Sequence, residues 1–107
     1  MYYTYMLRCT DKSIYTGITT DVKRRMKEHF SQGVKSAKYT KNHEALKLEC
    51  VWECEDRGLA TRLEYQIKQL EKKDKEELIL TQDLKQFLKD KVDCDEYVIM
   101  DVEGMIE

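Results

Sequence analysis

The first twenty residues form two apolar-rich segments separated by a polar turn. Residues 2 to 9 (YYTYMLRC) and 13 to 19 (SIYTGIT) are rich in Tyr, Ile and Thr, which favour strands. The intervening residues 10 to 12 (Thr-Asp-Lys) are polar. This pattern predicts a β-hairpin.

A helical period replaces the strand pattern after the hairpin. Thr20 and Asp21 offer an N-cap, so we predict that a helix begins at residue 20 or 21. Its apolar positions then recur at helical spacing. They are Val22, Met26 and Phe30.

Strand alternation returns after a basic loop. Residues 31 to 44 contain Gly33 and several lysines with little apolar periodicity, which predicts a loop. Residues 46 to 54 (LKLECVWEC) alternate and predict a third strand whose even-numbered positions face the core. An amphipathic helix to about residue 72 follows. Its apolar stripe is Leu59, Ala60, Leu63, Ile67 and Leu70.

The last third of the chain carries weaker signals. Asp74, with Glu77 three residues later, has the spacing of a helix N-cap. A leucine-rich stripe continues to Leu88 and predicts two short helices that meet near Thr81. Residues 97 to 100 (YVIM) resemble a short strand among acidic residues.

Length and composition indicate one globular domain. The 107 residues contain no proline and show no internal repeat, and this length is enough for one compact core. Residues 1 to 80 carry 16 basic and 13 acidic side chains, a balance of +3, whereas residues 81 to 107 carry 3 and 8, a balance of −5. We therefore predict a domain over residues 1–90 and an acidic C-terminal extension over 91–107, to which the sequence assigns no clear order.

The sequence also predicts a cytoplasmic protein that does not enter a membrane. It contains no apolar run of 18 residues and no N-terminal segment typical of a signal peptide. Cys9, Cys50, Cys54 and Cys94 show no CxxC spacing, so we predict reduced thiols. Cys50 and Cys54 share the parity of Trp52, which favours burial on one strand face over metal binding.

A set of motifs in this order resembles the GIY-YIG nuclease superfamily, and most closely its small stand-alone bacterial branch. The paired strand motifs read Tyr3-Thr4-Tyr5 and Tyr15-Thr16-Gly17, and the first keeps only the final Tyr of Gly-Ile-Tyr. The resemblance covers about residues 2 to 80. It continues through Arg24-Arg25, His29, Ala37-Lys38-Tyr39-Thr40, Leu59-Ala60, Glu64 and Ile67-Lys68.

The resemblance implies an α+β fold, with a three-stranded antiparallel sheet flanked by helices in the order β-β-α-β-α-α. It also implies hydrolysis of DNA phosphodiester bonds, with branched or damaged DNA among the candidate substrates. One Mg²⁺ or Mn²⁺ ion would assist the reaction. A monomer is the default expectation.

The catalytic roles implied by the resemblance fall on Tyr5, Tyr15, Arg25, His29 and Glu64. Arg25 and His29 are four residues apart and so share a helix face. A guanidinium suits bidentate phosphate binding, and an imidazole with an ordinary pKa of about 6.5 exchanges protons near neutrality. Glu64, beside the apolar stripe of its helix, would be the metal ligand. A single carboxylate leaves most coordination sites to water and phosphate, which predicts weak metal binding without DNA.

The length of the hairpin loop determines whether the two tyrosines can act together. A two-residue loop at 11 and 12 would place them on opposite faces of the sheet. A three-residue loop at 10 to 12 pairs Tyr5 with Gly17 and Leu7 with Tyr15, on one face. The proposed function predicts this second loop, with Lys12 in a left-handed conformation. Gly17 would then leave the backbone open to a phosphate; alternatively, the tyrosines merely pack the sheet.

The predicted nucleic-acid contacts outside the catalytic set are cations, one ring and one glycine. Loop cations neutralise phosphates, and an aromatic ring can stack on a base. Two other functions stay open: a nucleic-acid-binding module without catalysis, and a protein-interaction domain that uses acidic residues 83–107. The contact residues are Gly17, Arg24, Lys35, Lys38, Tyr39 and Lys41.

Overall fold

The computed structural model describes residues 1–31 and 43–106. The strands in these ranges are β1 (Tyr2–Cys9), β2 (Ile14–Thr19), β3 (Ala45–Cys54) and β4 (Val98–Ile99). The α-helices are α1 (Val22–Ser31), α2 (Arg57–Gln69), α3 (Lys72–Thr81), α4 (Leu84–Leu88) and α5 (Val102–Ile106), and a 3₁₀ turn spans Cys94–Glu96. None of the described helices has the length and apolar character that crossing a membrane requires.

The strands form one antiparallel sheet in the order β2-β1-β3-β4, with helices against it. The α+β class is therefore confirmed, but the predicted count of three strands is wrong. Val98 and Ile99 pair with Glu53 and Trp52 and add a fourth strand at the edge. The predicted order β-β-α-β-α-α is likewise incomplete, because a further helix, the 3₁₀ turn, β4 and α5 follow it.

The hairpin between β1 and β2 has the register that the three-residue loop predicts. Tyr5 pairs with Gly17, and Leu7 pairs with Tyr15. The amide of Cys9 donates to the carbonyl of Ser13 at 2.9 Å, which closes the loop. Lys12 has φ 71°, so its predicted left-handed conformation is confirmed. The two site tyrosines therefore lie on one face of the sheet.

Both faces of the sheet are buried, and a bulge in β3 changes which side chains reach each face. Met6 pairs with Cys50 but the next residue of β1, Leu7, pairs with Leu48, so Glu49 is extra. Cys50, Trp52 and Cys54 accordingly lie in one core cluster, as predicted, whereas Leu48 lies in the other. The prediction that all even positions share a face is therefore wrong beyond the bulge, and Leu46 is 59% exposed.

The helices that follow β3 cover the first cluster. Asp56 caps α2 by accepting from the Leu59 amide at 2.8 Å, and the predicted stripe of Ala60, Leu63 and Ile67 is buried. The predicted cap at Asp74 is wrong, since α3 begins at Lys72 and Asp74 lies in its first turn. The predicted break near Thr81 is confirmed by a left-handed residue, Gln82, between α3 and α4.

The C-terminal segment packs against both faces of the sheet. Val92 and Tyr97 are buried in the first cluster. Met100, Val102 and Met105 pack against the second cluster, which contains Tyr5. The four cysteines form no disulfide. The domain boundary at residue 90 stays a prediction, but residues 92 to 105 contribute to the same two cores as the rest of the chain.

Candidate active site

The hairpin brings Tyr5 and Tyr15 together. Tyr5 lies on central strand β1, where it is 1% exposed, and Tyr15 lies on edge strand β2, where it is partly buried. Their ring centroids are 6.1 Å apart and the ring planes are tilted by 52°. This distance is in the range of attractive aromatic pairs. The two rings lie next to each other in the candidate site.

Helix α1 places His29 against these rings. Asp21 caps the helix by accepting from the Arg24 amide at 3.1 Å. Val22 and Met26 are buried as predicted, but the next buried position is His29, which is 0% exposed. Phe30, predicted in the buried stripe, is 43% exposed. One residue turns a helix by about 100°, so burial of His29 directs Phe30 away from the core.

Tyr5, Tyr15 and His29 form a compact trio of rings. The phenol oxygen of Tyr5 and Nε2 of His29 are 2.7 Å apart, the distance of a hydrogen bond. The His29 ring centroid is 5.6 Å from that of Tyr5 and 5.5 Å from that of Tyr15. Side chains from β1, β2 and α1 therefore meet at one point, as the family resemblance implies.

Burial gives this trio unusual protonation properties. Desolvation, together with the smaller effect of the positive charge of Arg25, lowers the pKa of His29 from 6.5 to about 4. Desolvation also raises the pKa of Tyr5 well above its ordinary value, and the neighbouring Tyr15 adds to this increase. The pKa of His29 therefore lies below its ordinary value of about 6.5, whereas its role in proton transfer stays a prediction. At pH 7 the hydrogen bond joins a neutral phenol and a neutral imidazole.

Arg25 lies beside the trio and is held by a neighbour on α1. Its guanidinium donates to Oε1 of Glu28 at 2.7 Å. A hydrogen bond between Arg25 and Tyr5, together with the positive charge of Arg25, partly offsets the increase in the Tyr5 pKa. Because a guanidinium can only donate, the phenol oxygen of Tyr5 accepts this hydrogen bond with one of its lone pairs. In the tautomer with the imidazole proton on Nδ1, the phenol donates its proton to Nε2 of His29.

Glu64 approaches the trio from α2, at the margin of the buried helix face as predicted. Its side chain is 22% exposed, and its charge contributes to the increase in the Tyr5 pKa. Among the described residues no cluster of three His, Cys, Asp or Glu side chains could cage a metal ion. One carboxylate nevertheless fits Mg²⁺ or Mn²⁺, because such ions keep several waters and bind substrate phosphate oxygens.

The expected open backbone at Gly17 is wrong, because the side chain of Tyr5 fills that space. A Cβ added at Gly17 would lie 2.6 Å from the phenol oxygen of Tyr5 and 2.9 Å from Cε2 of Tyr15. The glycine thus lets the trio close. Arg24 is exposed on α1. The other predicted nucleic-acid contacts, Lys35, Lys38, Tyr39 and Lys41, lie outside the described residues.

Two residues at the site received no role in the sequence analysis. Glu28 pairs with Arg25. Nζ of Lys68 lies 3.4 Å from Oε2 of Glu64 and 5.8 Å from the Tyr15 ring centroid. Their spacings of three and four residues from Arg25 and Glu64 are those of facing helix positions. This spacing was the sequence signal that could have identified Glu28 and Lys68.

The site lies within a region that matches a known family model. The model is described as the GIY-YIG catalytic domain, and it matches residues 1–77. This range includes all five candidate catalytic residues. It ends within α3, before β4 and α5.

Bacterial proteins of similar length resemble the chain over most of its extent. UPF0213 protein FN1575 of Fusobacterium nucleatum is 49% identical over 89 residues, which cover 83% of this chain and 85% of the relative. UPF0213 protein YhbQ of Salmonella arizonae is 45% identical over 82 residues, covering 77% and 80%. The solution NMR structure of UPF0213 protein BH0048 from Bacillus halodurans is 43% identical, covers 75% and 84%, and has a TM-score of 0.48.

Proposed function

Because the chain belongs to the GIY-YIG family, we propose that it is a divalent-metal-dependent endonuclease that hydrolyses phosphodiester bonds in DNA. The observation that carries this proposal is the 2.7 Å hydrogen bond between Tyr5 and His29 beside a guanidinium. A purely structural aromatic cluster does not need a buried imidazole, whose burial opposes its charged form. The arrangement fits a site that moves a proton beside a negatively charged substrate.

In this proposal the buried imidazole acts through the phenol. Tyr5 and His29 are 1% and 0% exposed, so the proposal requires that substrate binding admits an attacking water molecule to the phenol oxygen of Tyr5. Tyr5 accepts the proton of the water while its own proton passes to Nε2 of His29. Transfers of this kind typically contribute about 10²- to 10⁴-fold to a rate. Tyr15, the more exposed of the two phenols, lies where a substrate would approach the trio.

Charged side chains around the trio would bind the phosphodiester. Arg25 supplies a permanent positive charge that can stabilise phosphate oxygens in the transition state. Glu64 would hold the metal ion, which supplies further positive charge at those oxygens when it is bound. Both charges influence the pKa of Tyr5, so Arg25 and Glu64 lie within electrostatic range of the same phenol. The remaining metal positions suit water and substrate.

The test of this proposal is incision of branched, flapped, nicked, damaged and single-stranded DNA in Mg²⁺ and in Mn²⁺. We expect Arg25→Ala and Glu64→Ala to reduce incision by at least about 100-fold each. Lys47→Ala is the matched control, since Lys47 is on β3 and pairs with Glu49 rather than with a site residue. Activity of the Arg25 and Glu64 variants equal to wild type would refute the assignment.

A nucleic-acid-binding module without catalysis is the second candidate. It is favoured by the closed state of the site, where Tyr5 and His29 are 1% and 0% exposed. Salt-sensitive binding to DNA or RNA with no turnover in either metal would support it. A protein-interaction role for acidic residues 83–107 has less support, because several apolar residues of that segment pack against the chain's own cores.

A further inference from the structure

Lys68 contacts two members of the site although none of the proposed roles uses it. It follows Glu64 by one turn of α2, and its Nζ lies 3.4 Å from Oε2 of that carboxylate. The same Nζ lies 5.8 Å from the centroid of the Tyr15 ring. This distance is within the range of cation–π attraction. One ammonium group therefore bridges the carboxylate on α2 and the phenol ring on β2.

Water reaches both side chains of this ion pair, and it reaches Lys68 more than Glu64. The side chains of Glu64 and Lys68 are 22% and 47% exposed. Glu followed by Lys four residues later is also the favourable order on a helix. Among residues 1–31 and 43–106, Lys68 is the cation that forms an ion pair with Glu64. The carboxylate assigned to the metal thus already has a cation beside it.

We propose that Lys68 is an internal counter-cation that occupies the Glu64 carboxylate until a divalent metal ion displaces it. This inference rests on the proposed role of Glu64 as metal ligand. A Mg²⁺ ion binds carboxylate oxygen at about 2.0–2.1 Å, so it and an ammonium group repel each other at one carboxylate. Metal affinity in the absence of DNA is therefore reduced by competition with Lys68. The displaced ammonium stays tethered near Tyr15, where it can pair with a phosphate oxygen.

A structural ion pair makes the opposite prediction for metal affinity. If Lys68 merely held Glu64 in place, removal of its charge would leave the carboxylate less ordered and the metal more weakly bound. If Lys68 competes with the metal, the same change strengthens metal binding. The direction of the change therefore distinguishes the two roles. It does so without any measurement of DNA incision.

The test compares Mn²⁺ binding by the DNA-free full chain, measured from the EPR signal of free Mn²⁺. Lys68→Met removes the charge and retains most of the side-chain length. We expect its affinity to be about 1.5- to 5-fold tighter than wild type, the range for loss of a partly exposed ion pair. Lys47→Met is the control, because it removes an equal charge whose partner, Glu49, lies on β3. Glu64→Gln should abolish the increase.

An affinity of Lys68→Met that is unchanged, weaker than wild type, or no tighter than that of the control would overturn the inference. If wild type incises DNA while Lys68→Met binds Mn²⁺ normally, only this inference fails. If Lys68→Met binds Mn²⁺ more tightly but wild type incises no DNA, this inference holds and the nuclease proposal fails. Mn²⁺ binding that Glu64→Gln leaves unchanged would contradict both this inference and the metal role of Glu64.

Discussion

Acidification should destabilise the protein through the buried side chain of His29. Burial lowers the pKa of this imidazole from 6.5 to about 4, so the unfolded chain takes up the proton more readily than the folded chain. Stability rises with pH wherever the unfolded state binds more protons. The contribution of His29 is therefore complete above pH 6.5 and is lost as the pH falls toward 4.

The size of this effect follows from the two pKa values. One pKa unit corresponds to about 1.36 kcal/mol, so lowering the pH from 7.5 to 5 should cost about 2 kcal/mol of unfolding free energy. Asp11 and Glu76 also have lowered pKa values, but both carboxylates titrate mainly below this interval. Comparison with a His29 variant therefore assigns the loss in this interval to His29.

Urea unfolding followed by circular dichroism at pH 7.5 and pH 5 measures the loss directly. In His29→Gln the difference between the two pH values should fall below about 0.5 kcal/mol, because glutamine does not titrate. Tyr97→Phe is the control, since burial raises the pKa of Tyr97 to about 12 and the substitution removes a hydrogen bond but no group that titrates between pH 5 and 7.5. It should retain the wild-type loss. A wild-type stability that is the same at both pH values would refute the reasoning.

Three further substitutions test packing and polar contacts by urea unfolding. Gly17→Ala should destabilise the protein by about 1–3 kcal/mol, because its Cβ would lie 2.6 Å from the Tyr5 oxygen. In a double-mutant cycle, the destabilisation by Gly17→Ala should be smaller in the Tyr5→Phe background. Arg8→Ala should lose about 1–2 kcal/mol, because its guanidinium makes two 2.6 Å bonds to partly exposed Glu76. Tyr97→Phe should lose about 1 kcal/mol with its 2.7 Å bond to a backbone carbonyl.

Each of these expectations has a contrary result. Additive costs for Gly17→Ala and Tyr5→Phe would show that the predicted clash is not with the phenol oxygen. If Arg8→Ala is as stable as wild type, the ion pairs of Arg8 contribute little to the free energy of unfolding, as surface ion pairs often do. A loss in Tyr97→Phe equal to that in Tyr2→Phe, where the tyrosine lies on β1, would remove any special role for the carbonyl bond.

Local patterns predicted the hairpin but left its loop at two or three residues. The three-residue loop, with its register between Tyr5 and Gly17 and its left-handed Lys12, was predicted because the proposed function needs both tyrosines on one face of the sheet. The stripe of α2 followed from its helical period, which depends on residues close in sequence. Glu64 was correctly placed at the margin of that stripe.

Features that depend on tertiary contacts were not predictable in the same way. Residues 97 to 100 were correctly seen as strand-like, but their place in the sheet was missed, because the two residues of β4 pair only through the edge that β3 offers. The bulge at Glu49 depends on pairing with β1. The pKa of His29 was taken at its ordinary value because its complete burial, which lowers that pKa, comes from packing against two strands.

The central claim is that the hydrogen-bonded pair of Tyr5 and His29 moves a proton during phosphodiester hydrolysis. The direct measurement is the single-turnover incision rate of wild type and Tyr5→Phe on the DNA that wild type cleaves best, with circular dichroism to show that both are folded. The incision rate of the variant should be at least about 100-fold lower than that of wild type. A variant rate within about twofold of wild type, or no wild-type incision of any DNA tested, would contradict it.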